Sequence, residues 1–303
     1  MSQAVKSDNV LLIVNPVSGR QRARYILYDI INFLSQSGCK TTVFATISRG
    51  HATQLVQTHA PHHHRMICCG GDGTLNEVFS GLAAMGEGAE KIPVGYIPTG
   101  TTNDLAHALG LTSHVKKAIH QALYGNVRDL DLGTFNQDKY FSYVASFGAF
   151  SRVAYETPQW LKNRLGRASY FFYGISEIGD IRARRVHIVA DGTEISGDFV
   201  YGSVSNSTVI GGLVKFPEGS ISLDDGKFEV MLIKAPKRPA DLRHIVNALA
   251  TKDYHEDGVL FFTASHITFQ FEEDVPWTVD GEYAGESNLV AVGNMHRRVQ
   301  ILC

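Results

Sequence analysis

Three polar, glycine-bearing segments each follow a short apolar run in the N-terminal third of the chain: Asn15–Arg20, Gly70–Thr74 and Pro98–Asp104. The runs before them, Asn9–Val14, Met66–Cys69 and Val94–Ile97, read as strands, and Thr41–Ala45 reads as another. Between them Ala23–Leu34, Ala52–His59 and Leu75–Ala84 carry apolar residues at helical spacing. Strands separated by helix-length segments predict a parallel sheet covered by helices. Ligands bind such sheets beyond the carboxyl ends of the strands, which is where all three segments fall. They should therefore converge in one crevice.

From about Arg128 the texture changes. Tyr140–Val144, Val186–Val189, Phe199–Val204, Phe228–Leu232, His266–Phe271 and Val299–Leu302 read as short strands, punctuated by Asp191-Gly192, Asp225-Gly226 and Asp280-Gly281. Helical patterns interrupt them near Trp160–Ile178 and Pro239–Ala250. The expectation is an α/β domain over 1–132 and a β-rich sandwich domain over 133–303, the two-domain count that 303 residues suggest. A hydrophobic fraction of 44% with 19% charged residues excludes a disordered chain or a coiled coil. Lys+Arg at 28 against Asp+Glu at 30 argues against a nucleic-acid binder. Four cysteines without a C-x-x-C pair suit a reduced, cytoplasmic chain. The run Val10–Val14 is too short for a signal-peptide core, and no apolar stretch reaches the length of a membrane span, so any membrane contact is expected to be peripheral.

In Gly70-Gly71-Asp72-Gly73-Thr74, glycines permit close approach of backbone amides to a phosphate, and the helix that follows offers unpaired N–H groups. Asp72 should repel a phosphate there, and a divalent cation between them resolves the conflict. A tight turn with Asp72 as a helix cap is the plainer alternative. There is no G-x-x-x-x-G-K-[ST] loop, no G-x-G-x-x-G fingerprint and no protein-kinase motif set. His62-His63-His64 has no acidic or Cys partner at ligand spacing and reads as a solvated loop.

Taken together, Asn15–Gly19, Gly70–Glu77, Gly100–Asp104, Asp224-Asp225-Gly226 and Asp280-Gly281-Glu282 resemble, in order and over the whole chain, the diacylglycerol kinase catalytic-domain family of lipid kinases. The chain is most similar to the compact bacterial members. The resemblance implies an NAD kinase- and phosphofructokinase-like α/β domain, a β-rich domain after it, and an active site in the cleft between the domains. It implies ATP as phosphoryl donor, held by Asn15, Pro16, Val17, Ser18 and Gly19, by Thr46 after the second strand, by Gly71, Asp72, Gly73, Thr74, Leu75, Asn76 and Glu77, and by Thr101. It also implies a catalytic magnesium positioned by Asp72 with support from Asp104 and Asp131, and a structural magnesium on Asp225 with main-chain oxygens of Ser222 and Lys227.

Asp280-Gly281-Glu282 carries the general base in the family, because a lipid hydroxyl needs a proton acceptor as it attacks the γ-phosphate. Glu282 is favoured over Asp280 for that role. Alone, the tripeptide is an ordinary hairpin turn. Where many bacterial members have a glycine triplet before a proline, this chain reads Gly211-Gly212-Leu213-Val214-Lys215-Phe216-Pro217, which leaves the acceptor lipid open. Trp160–Arg185 carries six basic residues (Lys162, Arg164, Arg167, Arg182, Arg184, Arg185) among aromatics. Such a segment suits an anionic membrane surface, or it packs its apolar stripe on the β-domain. The expected activity is transfer from ATP to diacylglycerol, with an NAD kinase or a non-catalytic binding protein as the alternatives.

Overall fold

The computed structural model describes residues 8–86, 92–101, 103–136, 138–148, 182–207, 209–210, 214–215, 221–251, 254 and 258–303. The chain divides into two compact units, one of Met1–Asp131 with Arg297–Cys303 and one of Leu132–His296.

In the first unit, four strands, β1 (Asn9–Val14), β2 (Lys40–Ala45), β3 (Arg65–Gly70) and β4 (Val94–Pro98), pair in the parallel order β2-β1-β3-β4. The end of β15 (Glu282–Leu302) extends this sheet beyond β4, through Ile301↔Val94 and Leu302↔Gly95, also parallel. Five helices connect the strands: α1 (Ser18–Gln36), α2 (His51–His59), α3 (Asp72–Ala84), α4 (Asp104–Ala108) and α5 (Val115–Tyr124). Strand side chains alternate between faces. Val10, Leu12, Val14, Ile67, Cys69 and Ile97 form one core with Ala23, Ile26 and Ile30 of α1 and Ala118, Ile119 and Ala122 of α5. Leu11, Ile13, Met66 and Cys68, equally buried, alternate to the opposite face. Polar groups thereby concentrate at strand ends, as the sequence predicts.

The second unit is antiparallel. It contains β6 (Lys139–Phe141), β7 (Val144–Gly148), β8 (Arg184–Ala190), β9 (Thr193–Ser205), β12 (Phe228–Lys234), β13 (Val259–Ala264), β14 (His266–Val279) and the first part of β15. The strand β5 (Val127–Phe135) runs into it from the first unit. A small ribbon, β10 (Val209–Ile210) with β11 (Val214–Lys215), and one helix, α6 (Pro239–Thr251), complete the described elements. Pairing runs β13-β12-β9-β7-β14-β15. Two long strands are shared between neighbours: β9 and β14 pair β8 with their first halves and β7 with their second halves. Register shifts in β14 between Gln270 and Val275, where Glu272, Glu273 and Asp274 intervene, allow that change of direction. Trp277 sits in the core with Phe135, Phe147 and Phe269 at centroid distances of 5.4, 5.0 and 5.2 Å. These tilted and edge-on pairs suit aromatic quadrupoles.

Two expectations change in detail. The apolar run Tyr140–Val144 is not one strand: Ser142 and Tyr143 form the turn between β6 and β7. The segment Val299–Leu302 belongs to a strand that begins at Glu282 and ends in the first unit. The helical pattern near Trp160–Ile178 lies outside the described residues, as does most of Gly211–Pro217. At the end of Trp160–Arg185, Arg184 pairs with Glu273 and Arg185 with Asp198, so these two charges are partly neutralised on the protein itself.

Candidate active site

The three strand-end segments of the first unit meet. Asn15 leaves β1 with its N–H on the Cys69 carbonyl at 2.9 Å, and its side-chain amide donates to Thr74 Oγ1 at 2.9 Å. Its Oδ1 accepts the Val17 N–H at 3.1 Å, which turns the chain into α1. Gly19 adopts φ +53°, and a Cβ there would lie 1.6 Å from the Thr99 carbonyl oxygen. Only glycine fits, both for the left-handed backbone and for the contact. Thr99 in turn donates its N–H to the Gly70 carbonyl at 2.8 Å. A Cβ on Gly71 would stand 3.2 Å from Gly100 Cα and 3.5 Å from Ser18 Oγ. Bare backbone from all three loops is thus stacked at one point, at the start of α3. Thr46, just after β2, is tied to the end of β1 by its N–H on the Val14 carbonyl at 2.8 Å. Thr101 is exposed beside this knot.

Asp72 is the first residue of α3, with Gly71 as its N-cap, and Asp104 is the first residue of α4. The Tyr96 hydroxyl is pushed far up by burial, then by the negative charges of Asp72 and, more weakly, of Asp104. Two carboxylates at helix N-termini therefore bear on one phenol. Such hard oxygen donors suit a divalent cation, which would relieve the conflict of Asp72 with phosphate. Burial raises the Cys69 thiol to about 12, so it is no nucleophile.

Three residues implied by the resemblance are engaged in holding the chain. Glu77 accepts the N–H groups of Gly50 at 2.7 Å and Ala52 at 3.1 Å. Asp131 is buried and accepts the Arg297 N–H at 2.7 Å, where Arg297 takes a left-handed φ of +49°. Asp280, 8% exposed, accepts four hydrogen bonds: Ser142 N–H and Oγ at 2.8 and 2.9 Å on Oδ2, and Tyr143 and Val144 N–H, each at 3.0 Å, on Oδ1. Burial raises its carboxyl, and these hydrogen bonds oppose the rise. Its own φ is +47°, a conformation Asp tolerates in turns. Glu282, two residues on, is exposed at the first position of β15.

The Asp225 turn is also tightly held. Asp225 Oδ1 accepts the Lys227 N–H at 3.0 Å, and Ser222 Oγ donates to Asp224 Oδ1 at 2.7 Å. The carbonyls of Leu223, Asp224 and Gly226 are engaged by Asn206, His296 and Ser265. One carboxylate with the carbonyls of Ser222 and Lys227 is a donor set of hard oxygens that fits magnesium or calcium. No group of three or more His, Cys, Asp or Glu suited to a metal occurs among the described residues, so a cation here would depend on main-chain oxygens.

Sequence reasoning missed the holding roles of Glu77, Asp131 and Asp280. For Glu77 a signal existed: α2 begins after Arg49-Gly50, without a capping side chain of its own.

Residues 9–135 match the diacylglycerol kinase catalytic domain, and residues 144–299 match the YegS C-terminal NAD kinase beta sandwich-like domain. A curated protein named diacylglycerol kinase from Bacillus subtilis (strain 168) is 32% identical over 276 residues, covering 90% of this chain and 89% of that protein. Another of that name from Staphylococcus aureus (strain MRSA252) is 32% identical over 279 residues, covering 91% and 86%. A crystal structure titled as a diacylglycerol kinase from Bacillus anthracis str. Sterne shares the fold, with a TM-score of 0.76 at 21% identity, covering 98% and 97%. An Archaeoglobus fulgidus NAD kinase in complex with ATP shares it more distantly, with a TM-score of 0.57 at 14% identity over 97% and 93%. With both units matched and nearly the whole length aligned, the chain belongs to the diacylglycerol kinase catalytic-domain family.

Proposed function

We propose that this protein is an ATP-dependent lipid kinase that moves the γ-phosphoryl of ATP to a lipid hydroxyl, with diacylglycerol as acceptor and phosphatidic acid as product. The observation that carries the reading is the meeting of bare backbone from Gly19, Gly71, Thr99 and Gly100 at the N-terminus of α3. Such a site receives phosphate through main-chain amides and a helix dipole. In this reading Asn15–Gly19, Thr46, Gly71–Asn76 and Thr101 hold ATP, and Asp72 with Asp104 would hold magnesium, with Asp131 in support. Magnesium, when bound, neutralises phosphate charge as the phosphoryl group is transferred. Asp225, with the carbonyls of Ser222 and Lys227, would hold a second, structural magnesium.

Glu282 serves as the general base. The four hydrogen bonds on Asp280 commit its oxygens to the β6–β7 turn, whereas Glu282 is exposed. Its carboxylate takes the proton of the acceptor hydroxyl as that oxygen attacks the γ-phosphorus, and ADP leaves. The lipid is met at a membrane surface, and peripheral contact with anionic lipid is proposed from the six basic residues of Trp160–Arg185.

The test offers radiolabelled ATP and magnesium with micellar diacylglycerol, monoacylglycerol, ceramide and sphingosine, and separately with NAD. Label in phosphatidic acid is the expected result. Label in NAD replaces the reading with that of an NAD kinase, and label in no acceptor removes the kinase assignment.

A further inference from the structure

We infer that Glu77 is a positioning residue that bolts the segment after β2 to the phosphate-facing helix, so that Thr46 and the N-terminus of α3 present themselves to a nucleotide as one rigid platform. The inference rests on the nucleotide reading of this site. It departs from that reading on one point: the carboxylate of Glu77 faces protein, not ligand.

The carboxylate lies on α3, one turn beyond the start of the phosphate loop. Its Oε1 accepts the Gly50 N–H at 2.7 Å and its Oε2 the Ala52 N–H at 3.1 Å. These are N–H groups that open α2, a helix whose N-cap, Gly50, has no side chain to cap it. A carboxylate is the best acceptor for such groups, because it meets both the unpaired N–H groups and the positive end of the dipole. The main-chain carbonyl of Glu77 is used as well, receiving Thr53 Oγ1 at 2.9 Å. One turn further along α3, a Cβ on Gly81 would lie 2.7 Å from Val56 Cβ, so the two helices touch closely on the same face. At the other end of the segment, Thr46 is tied to β1 through the Val14 carbonyl. The residues between, Ile47, Ser48 and Arg49, are exposed, and Ile47 is 84% so. The segment is therefore clamped at two points, and Glu77 supplies the clamp on the α3 side.

Glu77→Gln keeps the volume but leaves one oxygen, so one of the two N–H groups meets an amide donor. The expected result is a KM for ATP raised about tenfold with kcat within about twofold, the size expected for losing one charge-assisted hydrogen bond. Without nucleotide, amide exchange in the peptide over 47–56 should speed up in Glu77→Gln and more in Glu77→Ala, with exchange in 9–14 unchanged. A direct ligand contact predicts a different pattern: the penalty of Glu77→Gln would shrink with 2′-deoxy- or 3′-deoxy-ATP, and exchange without nucleotide would not change. Either of those results overturns the inference. Faster exchange in an enzyme that uses no ATP would leave the clamp standing and remove the kinase reading instead.

Discussion

Four Asp-Gly pairs lie among the described residues, and the two units use them in opposite ways. In the first unit Asp72-Gly73 opens a helix, with the carboxylate at the dipole's positive end beside the converging loops. In the second unit Asp191, Asp225 and Asp280 each turn their oxygens onto main-chain N–H groups: those of Ser265 and His266, of Lys227, and of Ser142, Tyr143 and Val144. A parallel sheet turns the carboxyl ends of all its strands to one side, where a carboxylate in the following loop can face a ligand. An antiparallel sheet reverses direction at every turn, and each reversal leaves N–H groups that a carboxylate can seal. In the proposed function the same dipeptide is chemistry in the first unit, whereas in the second it is carpentry.

The sharpest way to break this contrast is Asp72→Asn. It should cut magnesium-dependent turnover on the order of 10³-fold, since an electrostatic group at the transferred phosphate is lost. The melting temperature should stay near that of the wild type. Near-normal turnover at ordinary magnesium would make Asp72 one more structural carboxylate.

Glu282 is the proposed exception inside the second unit. Glu282→Gln should lower turnover by about 10²-fold, the lower end for a general base because phosphoryl transfer leans on it less. Isothermal titration should find ATP affinity unchanged. Full activity in this variant, together with a folded and dead Asp280→Asn, swaps the two roles.

Asp280→Asn tests the structural side. Its amide would point a donor at backbone donors, for a cost of about 2 kcal/mol and a melting temperature lower by roughly 5 °C. An unshifted melting curve would contradict the sealing role.

The smallest effect belongs to Asp191, whose carboxyl is held below the usual range by the Ser265 N–H first, then by the His266 N–H and the charges of His266 and Lys227. A lowered carboxyl stabilises the fold above the ordinary carboxylate range and loses that contribution as pH falls through its own lowered value. The melting temperatures of wild type and Asp191→Asn should therefore differ slightly at neutral pH and converge in acid. Curves that stay parallel to the lowest pH would remove Asp191 from the account.

What was legible in the sequence follows the same division. The alternation of apolar runs and helical spacing located β1, β3, β4 and the helices between them, and with them the loops at their ends, because in a buried parallel sheet hydrophobicity tracks the strands closely. The second unit was legible as short strands and turns but not as paths. Nothing in Tyr140–Val144 announces that Ser142 and Tyr143 are bent around a carboxylate far along the chain, and β14 hides its continuity behind Glu272, Glu273 and Asp274. The role of Asp131 was hidden for a related reason: it is fixed by a main-chain donor, which leaves no mark in side-chain identity, whereas the uncapped start of α2 is the one mark of Glu77.

The return of Arg297–Cys303 to the first unit fixes an order of events during synthesis. The second parallel partner of β4, the end of β15, is translated only after the whole of the second unit, as are the Cys303 main-chain groups that pair with both polar groups of Asn126. Domains on the ribosome usually mature from the N-terminus onward. Here the earlier unit waits for the later one, with the edge of β4 open in the nascent chain until Leu302 emerges. Nascent chains stalled before that point should show a folded second unit and an unfinished first.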